Sequence, residues 1–98
     1  LFGQANVPVR KASILGKNRN LLKLVLDIGE NQYMEAIYFD PDEFVNNIKQ
    51  WFGAGECDKM LNGRPNKVVI DMVYYPEINE FRNTRNVQIR LERYDKCD

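Results

Sequence analysis

The sequence contains no histidine among its 98 residues. Histidine is the usual general base near neutral pH and a common metal ligand, so its absence excludes Ser-His-Asp and Cys-His catalytic centres and histidine-ligated metal sites. Long apolar runs are also missing, since no stretch approaches the roughly 20 residues of a membrane span, and we expect no membrane partner. These absences exclude most hydrolase mechanisms in this chain.

Cysteine is scarce, with Cys57 in a polar, glycine-rich stretch and Cys97 beside the C-terminus. They form neither a CxxC motif nor the disulfide framework of a small secreted domain. We therefore expect reduced thiols and a cytoplasmic location, with a Cys57–Cys97 disulfide as the alternative. The opening Leu-Phe-Gly-Gln shows neither an initiator methionine nor a signal-peptide pattern, which predicts a piece of a longer protein.

Length and composition predict one soluble globular domain over residues 1–98, because 44% of the residues are hydrophobic and 29% are charged. The 14 basic residues balance the 14 acidic ones, but the two signs are segregated along the chain. Residues 10–23 carry five bases and no acid, whereas residues 24–58 carry eight acids and one lysine. We expect one basic and one acidic face.

Five strands are predicted, at 7–15, 22–28, 32–39, 67–75 and 87–92. The first is indicated by its β-branched and aliphatic residues, although Arg10 and Lys11 break its pattern, and the others mainly by alternation of apolar and polar residues. The inward parity of the third strand is ambiguous, and a bulge between Ala36 and Phe39 would reconcile it. Pro76 and the polar run 79–86 are expected to end the fourth strand.

The strongest local signal is a helix that begins at the Asp-Pro-Asp-Glu run of residues 40–43, with an N-cap acid followed by a proline at the first helical position. Phe39 and Phe44 have the spacing of a hydrophobic staple. The predicted buried face consists of Phe44, Val45, Ile48, Trp51 and Phe52. Gly53 is expected to end the helix, and residues 53–66 are expected to form a loop.

Three strands, one helix and two strands are the order of an OB-fold, a five-stranded Greek-key barrel. We therefore expect an all-β barrel with one helix between strands 3 and 4. An α+β sandwich with the helix across one sheet face is the alternative. In an OB-fold, strands 2 and 3 with loops 1-2 and 4-5 commonly hold oligonucleotides or oligosaccharides.

Two stretches resemble the C-terminal OB-like domain of RecJ, the bacterial exonuclease specific for single-stranded DNA. The first is GKNRNLLKL at 16–24 with MEAIYF at 34–39. The second and more specific is VYYPEINEFRN at 73–83, followed by VQI at 87–89. The resemblance spans roughly residues 9–94. Within it, Leu21 stands where the family usually has histidine and Asn83 where it has glycine, so any role of that histidine is in doubt here.

This resemblance implies the single-stranded-DNA-binding domain of a 5′-to-3′ exonuclease of DNA repair and recombination. In the family, metal-dependent DHH and DHHA1 domains cut the strand, so the Mn²⁺ or Mg²⁺ of the parent would lie in domains outside this chain. No cofactor and no hydrolysis are expected in the chain itself. The implied partners are single-stranded DNA, the remaining domains of the parent nuclease and, as a further candidate, a single-strand-binding protein.

The nucleic-acid-binding candidates are cations to follow phosphates, a ring to stack on bases and an amide to contact them. They are Arg10, Lys17, Arg19, Lys23, Tyr38, Arg82, Arg85, Gln88 and Arg90. Tyr33, Tyr75 and Phe81 are further stacking candidates, with core packing as the competing explanation. The segments around residues 10–23 and 82–90 are expected to form the two rims of one groove.

The alternative for the basic set is ordinary solvated charge on turns and strand edges. The acids at the start of the helix are explained by capping, so no metal site is predicted there. For function, the alternative is a structural or protein-docking domain that braces the nuclease or recruits a partner through the acidic face of residues 24–58 without contacting DNA. An OB domain for transfer RNA is a third interpretation.

Overall fold

The computed structural model describes residues 2–81 and 84–96, and for residues 76–81 and 84–87 it describes the backbone only. Its strands are β1 (Phe2–Leu15), β2 (Leu21–Gly29), β3 (Gln32–Tyr38), β4 (Val69–Phe81) and β5 (Thr84–Lys96). They close into a barrel in the order β1-β2-β3-β5-β4. β3 and β5 pair in parallel, and the other neighbours pair antiparallel. The predicted OB-like barrel is confirmed.

β1 is shared between the two halves of the barrel. Residues 2–8 pair with β4 and residues 9–15 pair with β2. The register shifts twice, between Gln4 and Val7 and between Val9 and Lys11, and Asn6 has a φ of 56°. Such irregularities bend a strand. They also break the alternation of apolar residues, which is why the sequence pattern predicted only the part of β1 from Val7 onward.

Two helices lie between β3 and β4, namely α1 (Pro41–Phe52) and α2 (Ala54–Leu61). The predicted start of α1 is confirmed, because the Asp40 carboxylate accepts a hydrogen bond from the Glu43 backbone N–H at 3.2 Å. The predicted loop at 53–66 is wrong for residues 54–61, where α2 forms. α2 buries only Cys57 and Met60. Its sequence therefore has too few apolar residues at helical spacing to indicate a helix in a glycine-rich stretch. Neither of these described helices has the length and hydropathy of a membrane-crossing segment.

The helices contribute to the barrel core. Phe44 and Ile48 of α1 are fully buried, as are Cys57 and Met60 of α2. They cluster with Val68, which directly precedes β4, and with the inward strand residues Val7, Val9, Ala12, Leu22, Leu24, Leu26, Ala36, Ile70, Met72, Ile89 and Leu91. The other predicted residues of the α1 face, Val45, Trp51 and Phe52, are partly buried against this core. Phe39 is 62% exposed, so the predicted staple, and the bulge that would bring Phe39 inward, are wrong.

Cys57 is a free, buried thiol and lies 3.8 Å from the Val45 carbonyl oxygen. The alternative prediction of a Cys57–Cys97 disulfide is therefore wrong, because the Cys57 thiol is free. Cys97 itself lies outside the described residues. Burial raises the pKa of the Cys57 thiol. It acts as a small packing residue between α2 and α1.

β4 continues beyond the proline that was expected to end it. Its described pairing with β1 ends at Tyr74, whereas its pairing with β5 runs on through Pro76 to Phe81. Pro76 therefore lies beyond the part of β4 that is bonded on both sides. A proline is tolerated on a strand side that donates no ladder hydrogen bond, so the prediction of an end at Tyr75 was wrong for this physical reason.

Tyr94 of β5 contacts α1 and holds it against the barrel. Its ring centroid lies 4.8 Å from that of Phe44 and 5.8 Å from that of Trp51. Its hydroxyl donates to Glu43 Oε1 at 3.0 Å and accepts from Asn47 Nδ2 at 2.8 Å. Both the apolar and the polar part of this side chain therefore hold the helix in place.

We expect Tyr94→Phe to lower the free energy of unfolding by about 1 kcal/mol, because it keeps the ring and removes both hydrogen bonds. Urea unfolding followed through the fluorescence of Trp51, the single tryptophan of the sequence, measures this loss. Tyr33→Phe is the matched control, since Tyr33 is 57% exposed and should change stability by less than about 0.5 kcal/mol. Equal stability of the two variants would contradict the role given to the Tyr94 hydroxyl.

Candidate nucleic-acid interface

Strand alternation divides β2, β3 and β5 into buried and outward side chains. On β2, every second residue from Leu22 to Leu26 is fully buried, so the residues between them point away from the core. The same alternation about Ala36 on β3 and Ile89 on β5 extends this surface across three strands. We call it the outer face, and it consists of Lys23, Val25, Asp27, Tyr33, Glu35, Ile37, Gln88 and Arg90.

The register arranges the outer face in rows. Lys23 lies opposite Ile37, and Ile37 lies opposite Arg90. Neighbouring strands are about 4.8 Å apart, so the backbones that carry these two cations are about 10 Å apart. In the next row, Val25 lies opposite Glu35, and Glu35 lies opposite Gln88. Three of the predicted candidates, Lys23, Gln88 and Arg90, are thereby brought onto one surface.

Two of the predicted cations are paired with carboxylates. Lys23 Nζ lies 3.2 Å from Glu35 Oε1. Arg10 donates through Nη2 and Nε to Asp27 Oδ2, at 2.7 and 3.2 Å. Exposed ion pairs of this kind contribute only about 0–1 kcal/mol, so both cations can exchange a carboxylate for another anion at little cost.

Asp27 is fixed in position by its own turn as well as by Arg10. The Gly29 backbone N–H donates to Asp27 Oδ1 at 2.9 Å. This bond, together with the Arg10 guanidinium, lowers the pKa of Asp27, and the same pairing raises the pKa of Arg10. The carboxylate therefore stays charged and holds Arg10 beside the outer face.

Arg90 is positioned by an aromatic ring. Its guanidinium carbon lies 4.9 Å from the centroid of Tyr75, a cation–π geometry that orients the side chain. The structure therefore places Tyr75, a predicted stacking residue, as a support for Arg90. Gln88, two residues earlier on β5, is half-buried and lies opposite Glu35.

Lys17 and Arg19 lie in the turn between β1 and β2, and both are exposed. The turn is tight: the Arg19 N–H donates to the Gly16 carbonyl at 3.1 Å, and Gly16 has a φ of 94°. This φ lies in the left-handed region that side chains other than glycine rarely adopt, so the turn favours glycine.

The two segments predicted as groove rims approach the outer face from opposite ends. The β1–β2 turn lies beside the Tyr38 end of β3, because Leu22 pairs with Tyr38. β5 begins at Thr84 and runs parallel to β3 with Gln88 opposite Glu35, so its start lies toward the Gln32 end. Of the remaining predicted residues in this region, Arg82 and the side chains of Arg85 and Phe81 lie outside the described residues.

Tyr38, predicted as a stacking residue, lies where β3 meets α1. Its ring centroid is 5.4 Å from that of Tyr94 and 6.5 Å from that of Phe44. Its hydroxyl donates to Glu43 Oε2 at 3.0 Å. Burial and this hydrogen bond raise the pKa of Tyr38 to about 12. The side chain is thus engaged in joining the helix to the barrel.

A second surface, which sequence reasoning missed, adjoins the outer face. It is a cleft of ≈ 430 Å³ lined by Arg10, Lys11, Val25, Tyr33, Gly63, Arg64 and Pro65. We call it the basic cleft. Arg64 and Lys11 were not among the predicted site residues, because only the fold brings the segment after α2 over β1. The basic run at 10–23 was the one signal that pointed toward it.

Carboxylates gather at the other end of β3. A cleft of ≈ 310 Å³ is lined by Tyr38, Phe39, Asp40, Glu43, Arg90, Leu91 and Glu92. We call it the acidic cleft. Its three acids face one cation, and Phe39 is largely exposed beside them. The acidic cleft therefore adds carboxylates at the Tyr38 end of the outer face, whereas the basic cleft adds cations at the Tyr33 end.

A comparison with models of protein families matches residues 1–93 to the RecJ OB domain. The corresponding comparisons with curated proteins and with solved structures gave no match.

The raised pKa of Tyr38 predicts a loss of stability in alkali. Below about pH 10 the phenol is neutral in both states, whereas between pH 10 and about 12 it ionises only in the unfolded chain. The unfolded state then binds fewer protons, so the free energy of unfolding falls across this window. Tyr38→Phe removes the phenol and should show a shallower fall, measured by urea unfolding at each pH. Wild type and variant should run parallel between about pH 7 and 9, and identical slopes above pH 10 would contradict this assignment.

Proposed function

Because the chain belongs to the RecJ OB-domain family, we propose that it binds single-stranded DNA as a domain of a bacterial, cytoplasmic 5′-to-3′ exonuclease. In this proposal it positions the substrate for a catalytic DHH core outside this chain. Among the described residues, no group of three or more acidic or thiol side chains is placed to hold a metal ion, and the proposal assigns the Mn²⁺ or Mg²⁺ of hydrolysis to that core.

The observation that carries the proposal is the row formed by Lys23, Ile37 and Arg90 on the outer face. A single strand needs cations that follow its phosphates and flat or apolar surface for its unpaired bases. The row supplies a cation on each side of an apolar residue. A duplex hides its bases within the stack, so this combination favours a single strand.

The outer face offers little that reads a base sequence. Lys23 is a point charge suited to phosphate, and Arg90 is turned over the Tyr75 ring. Gln88 carries the amide proposed to contact base edges. One amide beside two cations supports binding that is largely independent of sequence.

Glu35 and Asp27 set the strength of this binding. Glu35 already pairs with Lys23 of the row, and Asp27 pairs with Arg10, which the sequence predicted as a further phosphate contact. A phosphate must therefore displace a carboxylate, and the negative charge left behind repels the strand. We expect weak affinity that falls with rising salt, because a few phosphate contacts gain little from counterion release.

The first test removes the two cations of the row. We expect the double variant Lys23→Gln, Arg90→Gln to bind fluorescent oligothymidylate more weakly and to reduce the slope of log affinity against log salt by about 0.7 per cation lost. Fluorescence anisotropy over a salt series measures both quantities. The matched control is Lys49→Gln, Arg93→Gln, which removes the same charges from α1 and from the far part of β5. Equal slopes for the two double variants, or a preference of the wild type for duplex, would overturn the proposal.

The second test removes a competing carboxylate. We expect Glu35→Gln to raise the affinity for oligothymidylate by up to about five-fold, because it frees Lys23 from an exposed ion pair worth about 0.2–1 kcal/mol. Asp95→Asn is the control, since it removes one negative charge from a part of β5 that pairs with Asp71, away from the row. A rise of the same size in both variants would assign the effect to net charge alone.

A second candidate function, a protein-docking domain, draws support from the acidic cleft. There, the exposed Phe39 lies beside Asp40, Glu43 and Glu92, which suits a basic segment of the parent nuclease or of a recruited partner. The Lys23 and Arg90 double variant in the full-length parent separates the two functions. If the domain only docks proteins, the parent that carries this variant keeps its affinity for single-stranded substrate. If the domain binds DNA, the parent loses affinity.

A further inference from the structure

The basic cleft has a positive lining without a counter-charge of its own. Arg10, Lys11 and Arg64 line it, and the described lining residues include no carboxylate. Among the ion pairs of residues 2–75 and 88–96, Arg10 bonds to Asp27 of the outer face, while Lys11 and Arg64 take part in none. Two of the three cations of the cleft are thus without a carboxylate partner among the described ion pairs.

The backbone places these cations together. Adjacent residues of a regular strand point to opposite sides, but the register shift between Val9 and Lys11 leaves both Arg10 and Lys11 exposed. The stem of Lys11 packs over Gly63, where a Cβ would lie 3.3 Å from Lys11 Cδ. A bulge in β1 and a glycine after α2 therefore build one wall of the cleft.

Arg64 is held at the end of α2 by its own backbone. Its N–H donates to the Lys59 carbonyl at 2.8 Å, and its carbonyl accepts from Asn66 Nδ2 at 3.1 Å. The main chain at this position is therefore fixed, while the guanidinium is available to a ligand in the cleft.

Tyr33 supplies a flat surface where the basic cleft adjoins the outer face. It belongs to both surfaces, as does Val25. Tyr33 is one of the exposed large hydrophobic residues, and an exposed ring beside cations suits base stacking.

The acidic cleft limits where a strand on the outer face can continue. Phosphates that cross the row of Lys23 and Arg90 are repelled by Asp40, Glu43 and Glu92 at the Tyr38 end of β3. At the Tyr33 end the basic cleft presents Arg10, Lys11 and Arg64, and the carboxylate opposite Tyr33, Asp27, already pairs with Arg10. The cations of the basic cleft therefore favour continuation of the strand at this end.

We propose that the basic cleft binds the next nucleotides of the same single strand, with one base stacked on Tyr33 and the adjoining phosphates held by Lys11 and Arg64. This inference rests on the proposed function and extends it, because it gives the segment between α2 and β4 a role in holding DNA. It also gives the strand a defined route across the outer face.

The experiment compares variants of this chain for binding of fluorescent oligothymidylate of about 12 nucleotides, within the range that one OB-fold covers. We expect Tyr33→Ala to weaken binding about 5-fold or more, while Tyr33→Phe keeps the stacking surface and stays within about 2-fold of the wild type. We expect Arg64→Gln to weaken binding and to reduce the salt slope by about 0.7.

Two matched controls accompany these variants. Phe2→Ala removes an aromatic ring that is as exposed as Tyr33, 57% in each case, but stacks on Tyr74. Arg93→Gln removes an arginine that lines a different cleft, with Asp71 and Asp95. Both controls should bind like the wild type. Photo-crosslinking of the wild type with iodouracil-substituted oligonucleotide adds a readout that needs no variant, and the adduct should lie on the peptide that contains Tyr33.

The outcomes separate this inference from the proposed function. If the Lys23 and Arg90 double variant weakens binding while Tyr33→Ala and Arg64→Gln do not, the basic cleft is overturned and the DNA-binding function stands. Binding that depends on Tyr33 and Arg64, with a crosslink at Tyr33, supports the cleft. A wild-type chain that shows no salt-dependent binding of single strands overturns both proposals.

Discussion

Parallel pairing of β3 with β5 closes the barrel, and the outer face depends on this closure. The register joins Ile37 to Arg90 and Glu35 to Gln88, around a central pair, Ala36 and Ile89, whose side chains are buried. Core packing therefore fixes which residues of β5 lie beside which residues of β3. Parallel neighbours need a long crossover, and α1, α2 and β4 provide it here. Without this pairing, Lys23 and Arg90 would have no common surface.

The charges that start α1 also shape the field along β3. Asp40 caps the helix, and Glu43 accepts hydrogen bonds from the hydroxyls of Tyr38 and Tyr94. Asp40 and Glu43 each stabilise the position of α1, and both also line the acidic cleft. At the other end, the β1 bulge that bends the strand also exposes Arg10 and Lys11 together. The carboxylates of the acidic cleft and the cations of the basic cleft are thus consequences of how the helix begins and how β1 bends.

Local sequence patterns predicted the elements that depend on interactions between residues close together in the chain. The alternation from Leu22 to Ile28 and the capping run at 40–43 each depend on neighbours within a few residues, and β2 and α1 form as expected. α2 was missed because it buries too few residues to create a period. The pairings of Lys23 with Glu35 and of Arg10 with Asp27 depend on register, which alternation alone does not set. No local pattern could predict the basic cleft, since Gly63 and Lys11 are far apart in the sequence and come together only in the folded barrel.

Weak, exchangeable contacts suit a domain that must let its ligand move. In the proposed function, an exonuclease shortens the strand one nucleotide after another, so every phosphate on the outer face has to be released repeatedly. Lys23 and Arg10 each have a carboxylate to return to when a phosphate leaves, which keeps the bound and released states close in energy. Arg90 of the row and Lys11 and Arg64 of the basic cleft have no such partner among the described ion pairs. In the proposed function, the row and the cleft therefore each combine one exchangeable cation with at least one cation that has no carboxylate to return to.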